Sequence, residues 1–152
     1  MKKLIYFFLV PLCFNLSAQE PEKVAVQKTI ETFFDGFHKQ DSTIIKQAVS
    51  DAIIMQTIAK DGVGKPFVQT VGFGDFLERI NNIPETTKFE EIIKDYYIQI
   101  DGPMANAWTS YEFRIEDAFH HCGVNSFQLF KEDEKGWQII YIIDTRREES
   151  CD

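Results

Sequence analysis

From residue 89 to residue 147 the chain alternates between long runs rich in Ile, Tyr, Phe, Trp and Thr and short polar corners. The corners are Asp101-Gly102-Pro103, the stretch around Glu116-Asp117-Ala118, and Glu132-Asp133-Glu134-Lys135-Gly136. Turns this short join antiparallel neighbours only, since a parallel return needs a crossover of about a dozen residues or more. The last third therefore predicts a meander of four strands near 89–100, 105–117, 120–131 and 136–146.

Alternation assigns faces, because successive side chains of a strand point to opposite sides. In the second run Ala107, Thr109, Tyr111, Phe113 and Ile115 form the natural core face, with Trp108, Ser110, Glu112, Arg114 and Glu116 opposite. The third run changes phase: Cys122 and Val124 are apolar in one register, Phe127 and Leu129 in the other. A bulge near Asn125-Ser126 would reconcile them, and bulges curl a sheet around a pocket. The fourth run is apolar in both phases, Trp137, Ile139, Tyr141 and Ile143 against Ile140 and Ile142, which predicts cover on both faces. A second copy of the chain is one candidate for that cover.

Upstream lies material to cover the sheet. Lys2-Lys3, an apolar run from Leu4 to Phe14 and Leu16-Ser17-Ala18 have the form of a signal peptide, residues 1–18, with cleavage near Ala18. The apolar run is too short to span a bilayer, and Pro11 interrupts it. The expected mature domain is 19–152, exported to a periplasmic or extracellular location. Cleavage would remove two lysines and no acid, taking the formal net charge from −8 to −10. An acidic chain without a basic stripe is a poor binder of nucleic acid or anionic membrane. Cys122 and Cys151 would then remain. An oxidising compartment permits a disulfide between them; the alternative is a buried Cys122 packing as a small hydrophobe while Cys151 frays at the C-terminus.

Val26, Ile30, Phe33, Phe34 and Phe37 follow helical spacing over a segment from Pro21 to about Lys39. Asp41 or Ser42 can cap a second, short helix carrying Ile44, Ile45, Ala48 and Val49. A strand with Ile53, Ile54, Met55 and Ile58, a loop over 60–66 and a second strand, Phe67 to Val71, read as a hairpin. The loop lacks the spacing of a phosphate-binding loop. A third helix runs roughly from Gly74 to Asn82, and Pro84 closes it. This is an α+β layout: a curved, mostly antiparallel sheet whose four-strand C-terminal meander is covered by the N-terminal helices on its concave face. The 14% aromatic content, fourteen Phe included, argues for one domain with a sizeable core.

That order, with Gly136-Trp137-Gln138-Ile139 opening the last strand, resembles the nuclear transport factor 2-like superfamily of cystatin-like cones, which includes SnoaL-like proteins and ketosteroid isomerases. Trp108-Thr109-Ser110-Tyr111-Glu112-Phe113, His121-Cys122-Gly123-Val124 and Asp144-Thr145-Arg146-Arg147 resemble its small exported "lumazine-binding" branch. The resemblance implies a homodimer through the open sheet face and a deep pocket between sheet and helices. Lumazine is not carried over as a ligand, and the isomerases' Tyr/Asp/Asp set does not map residue by residue onto this chain.

Phe34, Phe37, Tyr97, Tyr111, His121, Cys122, Asp144 and Arg146 are the candidate pocket residues. Aromatic bodies with polar tips line small-molecule sites, although they also pack ordinary sheets. His121 is the candidate acid or base with Asp144 or a tyrosine as partner, against a histidine whose ring merely hydrogen-bonds a neighbouring strand or tyrosine. Asp144 and Arg146 share a face and can grip a polar group or form a rim salt bridge. His120 and His121, adjacent in a strand, should face opposite sides and so not share a metal; His38 should be exposed at its helix end. No metal or cofactor is expected. The reading ranks a small-molecule binding protein first, an isomerase, dehydratase or cyclase second, and a non-catalytic association module third.

Overall fold

A computed structural model describes residues 19–151; residues 1–18, where the sequence predicts a signal peptide, lie outside them. The elements run α1 (Gln19–His38), α2 (Ser42–Ala48), β1 (Val49–Lys60), β2 (Pro66–Val71), α3 (Phe73–Asn81), β3 (Phe89–Ile93), β4 (Tyr97–Asp101), β5 (Met104–Ile115), β6 (Ala118–Glu132) and β7 (Gly136–Arg147). Asp41 caps α2, its carboxylate accepting from the backbone of Thr43 and Ile44, as its position before the apolar run requires. The sheet order is β2-β1-β7-β6-β5-β3, with β4 pairing β5 alongside; only β1 and β7 among the described strands run parallel.

The turns follow from their residues. Glu116 and Asp117 both take positive φ, 50° and 63°, and close a two-residue hairpin between β5 and β6. Gly136, at φ 75°, ends the three-residue loop into β7. The 60–66 loop is internally satisfied, with the Asp61 carboxylate accepting from the amides of Val63 and Lys65.

Three points of register differ from the sequence reading. The expected strand near 89–100 is broken at residues 94–96, giving β3 and β4. Ile93 pairs Tyr111 while Tyr97 pairs Trp108, so one extra residue is accommodated there and the inward phase passes from Phe89, Glu91 and Ile93 to Ile98 and Ile100. No bulge occurs at Asn125-Ser126, where both ladders of β6 are continuous. The apolar phase breaks there because the buried Asn125 itself faces inward with Phe127 and Leu129, while Cys122 lies on the other face. Finally, Ile140 is an extra residue in β7: Gln128 pairs Tyr141 and Leu129 pairs Ile139. Ile139 and Ile142 therefore both point inward, which accounts for much of the apolarity in both phases that the sequence attributes to cover on both faces.

The core lies between the concave face and the helices. Val26, Ile30, Phe33 and Phe34 of α1 and Ile45 of α2 meet Ala105, Ala107, Phe127, Leu129, Trp137 and Ile139 of the sheet. The Trp137 indole N–H donates to Glu22, fixing the start of α1 against β7.

Gly123 marks a close approach. The Tyr111 ring lies over it and donates its hydroxyl to the Thr145 carbonyl at 2.9 Å. A Cβ at Gly123 would fall 1.8 Å from that same carbonyl oxygen and 2.8 Å from the Tyr111 ring. Backbone cannot yield that far without parting β6 from β7. The Gly123→Ala variant is expected to lose about 3 kcal/mol or more in urea or thermal unfolding, at the upper end of overpacking costs. An unchanged melting temperature would mean that the two strands are less closely apposed here.

Candidate functional site

A cavity of about 150 Å³ opens between α1, α3 and the concave face. Its wall is phenylalanine: Phe33, Phe34 and Phe37 from α1, Phe76 from α3 and Phe127 from β6. Helical spacing on α1 brings the first three to one side, and Phe76 stacks on both Phe33 and Phe37 at centroid distances of 5.9 and 6.2 Å. Phe34 meets Phe127 edge to face. Such geometries suit the ring quadrupoles.

The floor is polar. Glu91 of β3, Asn125 of β6, and Asp144 and Arg146 of β7 converge there from three strands. Asn125 donates its amide to Glu91 Oε1 at 2.7 Å, and Arg146 donates from Nε to Asp144 Oδ2 at 2.9 Å. An open cleft of about 740 Å³ at the end of the sheet adjoins the cavity and shares Thr57 and Arg146 with it. Arg146 thus stands where a molecule would pass from cleft to cavity. The cleft is larger, but the desolvated groups able to recognise a ligand lie in the cavity.

Glu91 is the most perturbed carboxyl. Burial pushes it up to about 7; the Asn125 hydrogen bond pulls it down, and the Asp144 charge pushes it further up. Its backbone amide donates to His38 Nε2 at 2.9 Å, joining the C-terminus of α1 to β3. Burial lowers the His38 pKa, and as an Nε2 acceptor the neutral ring carries its proton on Nδ1. His38 is thus half-buried and structural, not exposed as its helix-end position implies.

The cavity brings together Phe34, Phe37, Asp144 and Arg146 from the sequence candidates, and leaves out the other four. Tyr97 is 64% exposed on the outer sheet face, because the break before β4 reverses its phase. Tyr111 points inward but is spent on Thr145 over Gly123, with burial pushing its hydroxyl well above the usual range. Cys122 is joined to Cys151 as a disulfide. His121 sits at the rim of the concave face, its ring 4.9 Å from that of Phe113.

The histidine pair also differs from expectation. His120 is an extra residue in β6, since Phe113 pairs His121 while Arg114 pairs Phe119. The bulge turns both imidazoles to one side, Nδ1 to Nδ1 at 2.8 Å, instead of to opposite faces. One ring must donate and the other accept, so the two are not both protonated. Burial, then the charges of Arg146 and His120, push His121 down to about 4. No hydrogen bond joins His121 to Asp144. Among the described residues no group of three or more His, Cys, Asp and Glu could hold a metal ion.

Sequence reasoning missed Glu91, Asn125 and His38. A signal for two of them was present: Glu91 falls in phase with Phe89 and Ile93, and Asn125 with Phe127 and Leu129. A polar residue in the inward phase of an apolar strand marks a cavity floor.

No family model matches this sequence, and no curated protein matches it significantly. Solved structures match across most of the chain. A nuclear transport factor 2-like protein of unknown function from Shewanella baltica is 22% identical, covering 86% of this chain and 95% of its own with a TM-score of 0.59. A protein of unknown function from Mycobacterium tuberculosis is 16% identical, covering 90% and 78% with a TM-score of 0.71. A nuclear transport factor 2-like protein with a cystatin-like fold from Novosphingobium aromaticivorans is 10% identical, covering 91% and 92% with a TM-score of 0.67. These likenesses show the fold, α+β and cystatin-like, and at such identities the fold alone.

The raised Glu91 pKa has a stability consequence. Below about 4.5 the carboxyl is protonated in both folded and unfolded chains; between about 4.5 and 7 only the unfolded chain releases the proton, so stability falls as pH rises. The cost levels off above 7, at up to about 3 kcal/mol. His121 and His38 act in the opposite sense, losing stability as pH falls below the ordinary histidine range, so the whole-protein profile mixes the contributions. The Glu91→Gln difference isolates one. Gln keeps an acceptor for Asn125, and the variant should match the parent near pH 4 and exceed it by up to about 3 kcal/mol at pH 8. Parallel thermal melts at the two pH values check this, and an equal offset at both would contradict it.

Proposed function

We propose that the chain is an exported, non-catalytic binding protein whose cavity holds a small, partly apolar or aromatic molecule, working as a homodimer. The observation that carries this reading is the five-phenylalanine cavity closing on Glu91, Asn125, Asp144 and Arg146. Apolar walls with a few convergent polar groups are the usual composition of a small-molecule site. A void of about 150 Å³ suits a ligand on the scale of one ring.

Support for the dimer comes from the outer sheet face. Trp108, Tyr97, Met104 and Phe130 stand there 45–64% exposed, with Ile54 and Val68 further along. Aromatic residues and methionine are enriched at interface centres, and large exposed apolar patches are uncommon on monomers. Export is supported by the form of residues 1–18 and by the Cys122–Cys151 bridge, which fits an oxidising compartment. Placement in the lumazine-binding branch rests on the motifs from Trp108 to Phe113, His121 to Val124 and Asp144 to Arg147. The enzyme reading through His121 and Asp144 gains no support, because the His121 ring pairs with His120 at the rim.

Native mass spectrometry of protein purified gently from the exported fraction tests both parts. A dimer carrying a small adduct that is lost on denaturation is the expected result. A monomer, with no adduct and no thermal stabilisation by ring-sized compounds, would overturn the reading. Placing Glu at Trp108 should convert the dimer to monomer at micromolar concentration in light scattering, without lowering the melting temperature of the fold, because the indole is 56% exposed.

A further inference from the structure

Glu91 is held by one hydrogen bond, from Asn125 to Oε1; among the described residues no side chain or backbone group donates to its other oxygen, and no cation lies within salt-bridge distance. The other carboxylate of the floor is already paired, since Arg146 binds Asp144. The remaining cationic side chain at the cavity, Arg79 of α3, is exposed at its edge. A half-buried carboxyl with no cation in salt-bridge contact is costly to ionise unless something supplies the charge.

The walls favour the same partner. Phenyl faces carry negative quadrupole potential and attract cations, more strongly once water is excluded. Phe33, Phe37 and Phe76 form a stacked wall, with Phe34 and Phe127 completing the enclosure. The chain's net charge of −8 adds long-range attraction for a positive molecule. An anion would meet Glu91 and Asp144, with the one guanidinium of the floor already engaged.

Resting on the pocket reading above, we infer that the ligand is a small organic cation: a ring-sized apolar body among the phenylalanines with an ammonium or amidinium group donating to the free oxygen of Glu91. The charged head would lie beside Asn125 and Asp144, and the body would fill the phenylalanine enclosure.

Proton linkage follows. The groups facing Glu91 are Asn125 of β6, Asp144 and Arg146 of β7, and His38 of α1 at its backbone. Of the floor's carboxyls, Glu91 is the one held protonated up to about 7 in the empty site. A cation needs it ionised, so binding below pH 7 releases a proton, and affinity falls by up to about tenfold per pH unit there.

The test uses three near-isosteric probes of different charge, benzamidinium, benzamide and benzoate, in titration calorimetry on the full mature chain at pH 8 and pH 6. The expected order is benzamidinium tightest, by at least tenfold over benzamide, with benzoate weakest. Its affinity should drop on moving to pH 6, while that of benzamide stays level. Glu91→Gln, with its fold checked by its melting curve, should erase the preference of benzamidinium over benzamide. Benzamide binding as tightly as benzamidinium would mean that a protonated Glu91 serves a carbonyl, and would overturn the cation proposal while the pocket reading stands. A preference for benzoate would do the same, pointing to Arg146 as the recognising group. Failure of all three to bind would overturn the cation proposal and the ring-sized pocket together.

Discussion

One extra residue, Ile140, decides what β7 presents to the interior. Before it, Trp137 and Ile139 face inward and pack under α1; after it, Ile142, Asp144 and Arg146 do. Without the bulge a strict period of two would turn Tyr141 and Ile143 inward and send Ile142, Asp144 and Arg146 to the outer face. The bulge also twists and bends the strand at the point where the helical layer gives way to the cavity. Packing at one end of β7 and chemistry at the other are both consequences of this change of phase. Changes of register also occur between β3 and β4, at His120 in β6, and in β1 between Val49 and Ile54.

What these changes bring together is electrostatically uneven. Asp144 has a guanidinium within hydrogen-bonding distance, whereas Glu91 has a neutral amide. Burial among phenyl rings, with another acid nearby, holds the Glu91 carboxyl above its ordinary range. The floor therefore holds two carboxyls of different character a few residues' width apart. His38 adds the geometric constraint, because its ring fixes the backbone from which the Glu91 side chain projects. A helix end, through one neutral imidazole, thus orients the group that most distinguishes this cavity from a plain apolar void.

The architecture was legible from the sequence because it depends on repetition. Helical spacing from Val26 to Phe37, alternation from Ala107 to Ile115 and the short corners each repeat a simple period, and the fold agrees with all of them. Half of the candidate site was legible for the same reason: Phe34 and Phe37 lie on a regular helix, and Asp144 and Arg146 keep their mutual spacing on either side of any upstream slip. Tyr97 was misplaced because its face depends on an irregularity upstream at 94–96 that no local pattern announces. The histidine pair failed in the same way, since one inserted residue, His120, reverses a phase argument entirely. Asn125 was misread for a different reason. The change of apolar phase between Val124 and Phe127 predicts a bulge beside it, whereas the strand runs on unbroken with Asn125 itself facing the polar site.

That last error points to a rule for chains of this kind. A polar residue in the inward phase costs folding free energy unless something answers it, so its presence against the apolar pattern is informative in proportion to that cost. Glu91 and Asn125 answer each other across β3 and β6 by one hydrogen bond, which leaves the second oxygen of Glu91 without a donor among the described residues. A pair built only to fill the floor would need no ionisable member, since an amide or an apolar side chain of similar size would avoid the penalty of burying a charge. The retained acid, which lines a void walled by aromatic rings and has one oxygen without a donor among the described residues, is better explained by what enters the cavity than by what holds the fold together.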